Sequence, residues 1–221
     1  MPPGADPMPT LLSLDAGRPD AALIARAAAS IRHGRLVIYP TETFYALGGD
    51  PWNAAAVDMV FEAKGRPDTM ALPLIAADRE AVRRCTAEFP GAARRLAAAF
   101  WPGPLTLVLP ASPDLPARLL GRGGTIGVRI SPHPVAAALA RAAGGLLIAT
   151  SANRTGQTPP RTAVEAALAP GDTLDLILDG GPTIGAPAST VLDLSAGPPR
   201  LLRPGAVPIE AIERLLERRP E

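Results

Sequence analysis

Short apolar runs that stop abruptly at polar, proline- or glycine-rich loops constrain this chain more than any other feature. Leu36-Val-Ile-Tyr39 ends at Pro40, and Leu146-Leu-Ile-Ala149 runs straight into Thr150-Ser-Ala-Asn-Arg154. Such runs are too short for helices, and the stretches between them carry apolar residues at helical spacing. The pattern predicts helices over 21–32, 54–63, 78–86, 90–100, 134–143, 163–168 and onward from Pro208. It predicts strands at 36–39, 72–76, 105–109, 125–130, 146–149, 174–178, 190–194 and 200–202. Asp20 and Asn53 stand where helix caps belong, and Gly34 and Gly65 where helices stop. Alternation of this kind implies an α/β chain (α+β in some schemes), with one twisted sheet of mixed parallel and antiparallel strands flanked by helices. A single domain over 18–221 is the economical division, and 1–17 is an N-terminal extension expected to be poorly ordered.

Composition removes several classes of function. Cys85 is the only cysteine, which excludes an internal disulfide or a thiolate zinc cage. His33 and His133 are the only histidines, too few for a histidine-rich metal site. The N-terminus lacks the basic start and apolar stretch of a secretory signal, and no apolar run reaches the ~18 residues of a membrane span. A cytoplasmic protein with no membrane contact is the expectation. The net charge of +1 gives no overall polycation for nucleic acid, although a local basic patch stays open.

The polar loops that follow buried strands are the informative segments, because open α/β sheets place ligand groups there. Pro40-Thr-Glu-Thr-Phe-Tyr-Ala-Leu-Gly-Gly49 offers two hydroxyls and a carboxylate, or else a turn that caps its own backbone. Lys64-Gly-Arg-Pro67 holds the only lysine, against 21 arginines. Lys64 and Arg66 together suit a polyphosphate, while Lys64 alone would also suit a helix C-terminus. No Gly-Lys-Ser/Thr P-loop and no Gly-x-Gly-x-x-Gly is present, so a nucleotide would need another device. Ala149-Thr-Ser-Ala-Asn-Arg-Thr-Gly156 sets Ser151 and Asn153 two apart, small donors for phosphate or ribose oxygens, or an ordinary turn. Arg129 lies inside an apolar strand that also carries Thr125; it needs an anion, either a structural Asp or Glu or a carboxylate ligand. Ser189-Thr190 and Arg203 close the set. His133 reads as a loop residue and Cys85 as a helix residue near the core. The residues alone imply a pocket for a small anionic ligand, with Lys64, Arg66, Arg129 and Arg203 as candidate contacts.

Seven segments in order then resemble one family. They are Tyr39-Pro-Thr-Glu-Thr-Phe-Tyr-Ala-Leu-Gly48, Ala63-Lys-Gly-Arg-Pro67, Trp101-Pro-Gly-Pro-Leu-Thr106, Thr125-Ile-Gly-Val-Arg129, Thr150-Ser-Ala-Asn153, Ser189-Thr-Val191 and Arg203-Pro-Gly205. Together they resemble the YrdC-type threonylcarbamoyl-AMP synthase family in its short, single-domain form. The resemblance implies a YrdC-like fold and a nucleotidyltransferase that joins L-threonine, bicarbonate and ATP into L-threonylcarbamoyladenylate, releasing pyrophosphate. A separate transferase complex would pass the threonylcarbamoyl group to an adenosine of tRNA. By the same resemblance Lys64, Arg66, Ser151 and Asn153 are catalytic. Lys64, Arg66, Thr125, Ser151, Asn153, Pro159 and Arg203 would hold ATP, and Thr43, Arg129, Ala149 and Ser189 would hold threonine. Mg²⁺ is expected on the ATP phosphates, with no protein side chain assigned to it. The chain departs from the family pattern at Ala46, Met70, Ile75 and Ala188, where members use glycine, asparagine, histidine and glutamate. Two other readings stay open: a non-catalytic module of the same fold that binds double-stranded RNA or tRNA, and a carbamoyl-transfer module of the hydrogenase-maturation kind. The latter carries zinc-finger cysteines that Cys85 alone cannot supply.

Overall fold

The computed structural model describes residues 9–65, 71–167 and 174–217. Helix ends follow the local chemistry of the sequence. The Asp20 carboxylate accepts from the amides of Ala22 and Leu23 and opens α1 (Ala21–Arg32). The Asn53 side chain does the same for Ala55 and Ala56 at α2 (Ala54–Lys64), which ends at Gly65 with φ +55°, a left-handed residue that costs glycine little. The remaining helices are α3 (Arg79–Cys85), α4 (Gly91–Phe100), α5 (Pro134–Ala142), α6 (Ala163–Ala167) and α7 (Ile209–Glu217). His133 stands directly before α5, with Pro134 in its first turn.

The strands form two sheets. The first contains β1 (Thr10–Ser13), β9 (Leu174–Asp179), β2 (Leu36–Pro40), β3 (Tyr45–Gly48) and β8 (Thr150–Ser151), in that spatial order. The second contains β11 (Arg200–Arg203), β10 (Thr190–Asp193), β5 (Leu105–Pro110), β6 (Thr125–Arg129), β4 (Leu74–Ala76) and β7 (Leu146–Ile148). Both are mixed: β2 runs parallel to β9 and antiparallel to β3, and β5 runs antiparallel to β6 and parallel to β10.

The mixed α/β reading holds, but the single expected sheet is divided. The division falls at Ala149, where the chain leaves β7 in one sheet and enters β8 in the other. Its amide donates to Pro73 O at 2.8 Å, Ile148 N donates to Gly49 O at 3.0 Å, and the Tyr39 hydroxyl reaches Ile148 O at 3.0 Å. These bonds satisfy the backbone at the seam and hold the sheets together there. Three strands were not expected. The sequence puts residues 45–48 in a loop, yet they form β3, completely buried, and it puts 150–151 in a loop, yet they pair with 46–47. The extension over 1–17 is not wholly outside the fold either, since Thr10–Ser13 pair in parallel with Leu176–Asp179 at the sheet edge.

Strand alternation sorts each sheet into two faces. Leu36 and Ile38 join Val57, Val60 and Phe61 of α2 in the larger core, which continues through Leu105, Leu107 and Val128. Val37 and Tyr39 face a smaller core beneath α1 and α5, with Ile31, Val135 and Leu139. Cys85 is buried, and burial pushes its thiol up to about 12, so it stays a protonated core residue. No helix among the described residues is long and apolar enough to cross a membrane.

Candidate active site

The two sheets border a shared cleft of about 1290 Å³. Its lining is what strand periodicity would select. On β6, Thr125, Gly127 and Arg129 border the cleft while Ile126 and Val128 enter the core. On β5, Thr106 and Val108 border it while Leu105, Leu107 and Leu109 do not. The first sheet contributes Tyr45, Ala46, Thr150 and Ser151, and the turn between β2 and β3 contributes Thr41 and Thr43.

Arg129 is the most enclosed cation of the cleft, 9 % exposed at the end of β6. Its partner is Glu42, with Nη1 and Oε1 only 2.6 Å apart, though the N–H is not aligned for a hydrogen bond. The other Glu42 oxygen accepts from the Ser131 hydroxyl at 2.6 Å, and Ser131 Oγ accepts from the His133 amide at 3.2 Å. Burial holds the His133 imidazole below its ordinary pKa, and the Glu42 charge opposes this only in part. Arg203 reaches the cleft from β11. It donates from Nε and Nη2 to Ser189 O at 3.1 and 2.8 Å, and from Nη2 to Ser189 Oγ at 3.0 Å. Burial and the like charge of Arg129 both press the Arg203 pKa down. Arg129 and Arg203 thus share one cleft, which Arg122 and Arg200 also line, an arrangement that invites anions. Further out, Arg200 pairs with Asp193 at 2.9 Å. Burial raises the Asp193 carboxyl, but hydrogen bonds from Ser195 and Arg200 outweigh it and hold the group below its usual range.

The hydroxyls form two groups. Thr41 Oγ1 donates to Phe44 O at 2.7 Å, and Thr43 Oγ1 lies 3.1 Å from Thr41 Oγ1. Ser189 Oγ and Thr106 Oγ1 are 2.9 Å apart.

Of the residues expected from the sequence, Thr43, Thr125, Arg129, Ala149, Ser151, Pro159, Ser189 and Arg203 line this one cleft. Asn153 borders a smaller neighbouring hollow that shares Pro159. Its Nδ2 donates to Arg154 O and Gln157 O, while Oδ1 is buried with no partner. Lys64 is not a loop residue in the cleft. It is the last residue of α2, 3 % exposed, and its Nζ donates to the carbonyls of Ser151 at 2.5 Å and Asn153 at 2.7 Å. The ammonium therefore sits behind the Ser-x-Asn segment and holds its backbone. Arg66 and Met70 lie outside the described residues. Ile75 is fully buried beneath α5 and does not reach the cleft, whereas Ala46 and Ala188 line it.

The sequence offers the Thr41 and Thr43 hydroxyls and the Glu42 carboxylate as ligand groups and leaves an acidic partner open for Arg129, but it does not pair Glu42 with Arg129, and it misses Thr106 and the Asp193–Arg200 pair. The period-2 pattern of β5 and β10 carried a signal for Thr106 and Asp193. Nothing local pairs Glu42 with Arg129.

Lys64→Ala should damage the site and the fold together. It leaves two carbonyls short of a donor, at about 1–3 kcal/mol. Thermal denaturation should show a Tm lower by several degrees, on the order of 2–4 °C per kcal/mol at this chain length. Unchanged stability would mean that the ammonium does not hold the 151–153 backbone.

The chain is similar to known proteins over most of its length. The Sua5–YciO–YrdC family model, described as Telomere recombination, matches residues 29–205. A threonylcarbamoyl-AMP synthase of Pyrococcus abyssi is 42% identical over 190 residues, which is 86% of this chain and 56% of that protein. The chain thus spans little more than half of that relative. A threonylcarbamoyl-AMP synthase of Chromobacterium violaceum is 40% identical over 200 residues, 90% of this chain and 98% of that one. The crystal structure of P. abyssi Sua5 complexed with L-threonine superposes with a TM-score of 0.88 at 40% identity, covering 94% of this chain and 61% of that one. The family match over most of the domain and the similarity to full-length and longer relatives place this chain in the Sua5–YciO–YrdC family.

Proposed function

We propose that the cleft joins L-threonine, bicarbonate and ATP into L-threonylcarbamoyladenylate, releasing pyrophosphate. The observation that carries this reading is the convergence of Arg129, Arg203, Thr43, Thr125, Ser151 and Ser189, from both sheets, on one space large enough for two small ligands. The names of the relatives and the threonine found in P. abyssi Sua5 support it.

In this reading Arg129 takes the threonine carboxylate, with Thr43, Ser189 and the Ala149 segment around it. Arg203, Thr125, Ser151, Asn153 and Pro159 border the nucleotide, with Arg66 as a further phosphate contact. Lys64 acts by holding the carbonyls of Ser151 and Asn153, so that their side chains keep their places. The threonine amine adds to bicarbonate with loss of water to give a carbamate. A carbamate oxygen then bonds to the α-phosphorus as the bond to pyrophosphate breaks. Carbamate and triphosphate repel each other, and fixed guanidinium groups offset that repulsion while holding the reacting atoms together. No side-chain nucleophile is needed.

Mg²⁺ is expected to arrive with the ATP phosphates. The described lining fits no protein-held ion: Asp193 is its carboxylate, and its oxygens already accept from Ser195 and Arg200. Among the described residues no cluster of three acidic, histidine or cysteine side chains exists to supply ligands. We place the reaction in the cytoplasm, where ATP and tRNA are at hand. Its product is a mixed anhydride, consumed by a transferase that passes the threonylcarbamoyl group to tRNA.

The test is incubation with ATP, L-threonine and ¹³C-bicarbonate, followed by mass spectrometry. The heavy carbon should appear in a species that contains both threonine and AMP. A threonyl-AMP without the added carbon would reject the proposed chemistry.

A further inference from the structure

Of the four arginines that line the cleft, Arg129 and Arg203 differ in one respect that the proposed reaction does not by itself require. Arg203 is held by the Ser189 carbonyl and hydroxyl and has no carboxylate partner among the described residues. Arg129 has one immediately behind it. Thr41 and Thr43 border the cleft, while Glu42 between them turns the other way, as alternation demands. Both Glu42 oxygens are engaged, one by Arg129 Nη1 at 2.6 Å and one by the Ser131 hydroxyl at 2.6 Å. The pair is well enclosed, with side chains 10% and 14% exposed. Arg129 donates no hydrogen bond to protein among the described residues, so the part of its guanidinium that borders the cleft is left for a ligand.

We infer that Glu42 is a positioning and selectivity residue, which reserves Arg129 for an amino-acid carboxylate and keeps the polyphosphate at the Arg203 end. The inference rests on the proposed threonine–ATP reading. Fixed from behind, the guanidinium presents one edge to a planar monoanion. A polyanion at the same place would meet the Glu42 charge through a half-buried medium, where repulsion between charges a few ångströms apart is worth tenfold or more in affinity, by an order-of-magnitude estimate. Arg203 carries no such penalty and suits phosphate.

Steady-state kinetics on Glu42→Gln, Glu42→Asp and Ser131→Ala, with inorganic tripolyphosphate as inhibitor, test this. In wild type, tripolyphosphate should compete with ATP and not with threonine. In Glu42→Gln the threonine KM should rise about tenfold or more, the ATP KM should stay within about twofold, and tripolyphosphate should now compete with threonine. Glu42→Asp should restore much of the selectivity. Ser131→Ala keeps the charge but frees the carboxylate; it should raise the threonine KM without creating the new competition. An unchanged threonine KM in Glu42→Gln, or equal rises in both KM values, overturns the inference. Should Glu42→Gln not fold, an unchanged threonine KM in Ser131→Ala overturns it instead. Wild-type protein that binds ATP but no threonine in calorimetry removes the functional reading, and the inference with it. Wild-type turnover with unaltered selectivity in the variants removes the inference alone.

Discussion

Arg129→Ala is expected to be the most damaging single change at the site, because it acts in two ways at once. It removes the cleft cation assigned to the threonine carboxylate, a bidentate charge-assisted contact whose loss should raise the threonine KM about 100-fold. It also strands Glu42, whose side chain is only 14% exposed. An uncompensated buried charge of that kind costs about 3–5 kcal/mol. At this chain length the Tm should drop on the order of 10 °C. The two effects separate in the double variant Arg129→Ala/Glu42→Gln, which has no charge left to strand. Its Tm should recover most of the loss, while its threonine KM should remain as poor as that of Arg129→Ala. A single variant as stable as wild type would show that the 2.6 Å contact carries no energetic weight.

Gly205→Ala should be nearly as costly, and it acts through backbone rather than charge. A Cβ at that position would lie 2.3 Å from Ala188 O, 2.4 Å from Thr190 N and 2.5 Å from Ser189 C. Flexible side chains could step aside, but these are main-chain atoms. The same atoms are committed elsewhere: Thr190 N donates to Pro104 O and Ala188 O accepts from Ala206 N, both at 3.0 Å. Overpacking of this kind costs roughly 1–3 kcal/mol and can exceed that where nothing can yield. The strain should push residues 188–190 away from Gly205, drawing Ser189 off Arg203 and Thr106. A lower Tm together with a higher threonine KM is expected. Loss of stability with an unaltered KM would mean that Ser189 does not contribute to the amino-acid end.

These variants also show which parts of the site the sequence could reveal. Arg129 stood out because a cation alternating with apolar residues on a short strand needs an anion, and the structure supplies one in Glu42. The identity of that anion was hidden, since 87 positions separate the two and only the way the sheets meet brings them together. Lys64 is conspicuous as the only lysine. Its position at the end of α2 was readable from Gly65, yet nothing local indicated that the ammonium would turn inward to two carbonyls of the Ser-x-Asn segment.

The fold divides in the same way. The helices with side-chain caps at Asp20 and Asn53 were legible, as were β5 and β6, whose alternation extends over several residues. β3 was not, because Tyr45-Ala-Leu-Gly48 is buried on both faces and too short to show any period. β8 has two residues and exists only because β7 delivers the chain at Ala149 to the edge of the other sheet. The division into two sheets is therefore a tertiary fact, and it creates the cleft.

In the proposed function, this cleft brings two mutually repelling anions into reaction. Pyrophosphate release from ATP, followed with threonine and bicarbonate each supplied or withheld, tests it most directly. Release should require both, and omission of either should return the rate to background. Release that proceeds equally well without threonine would rule out the proposed reaction.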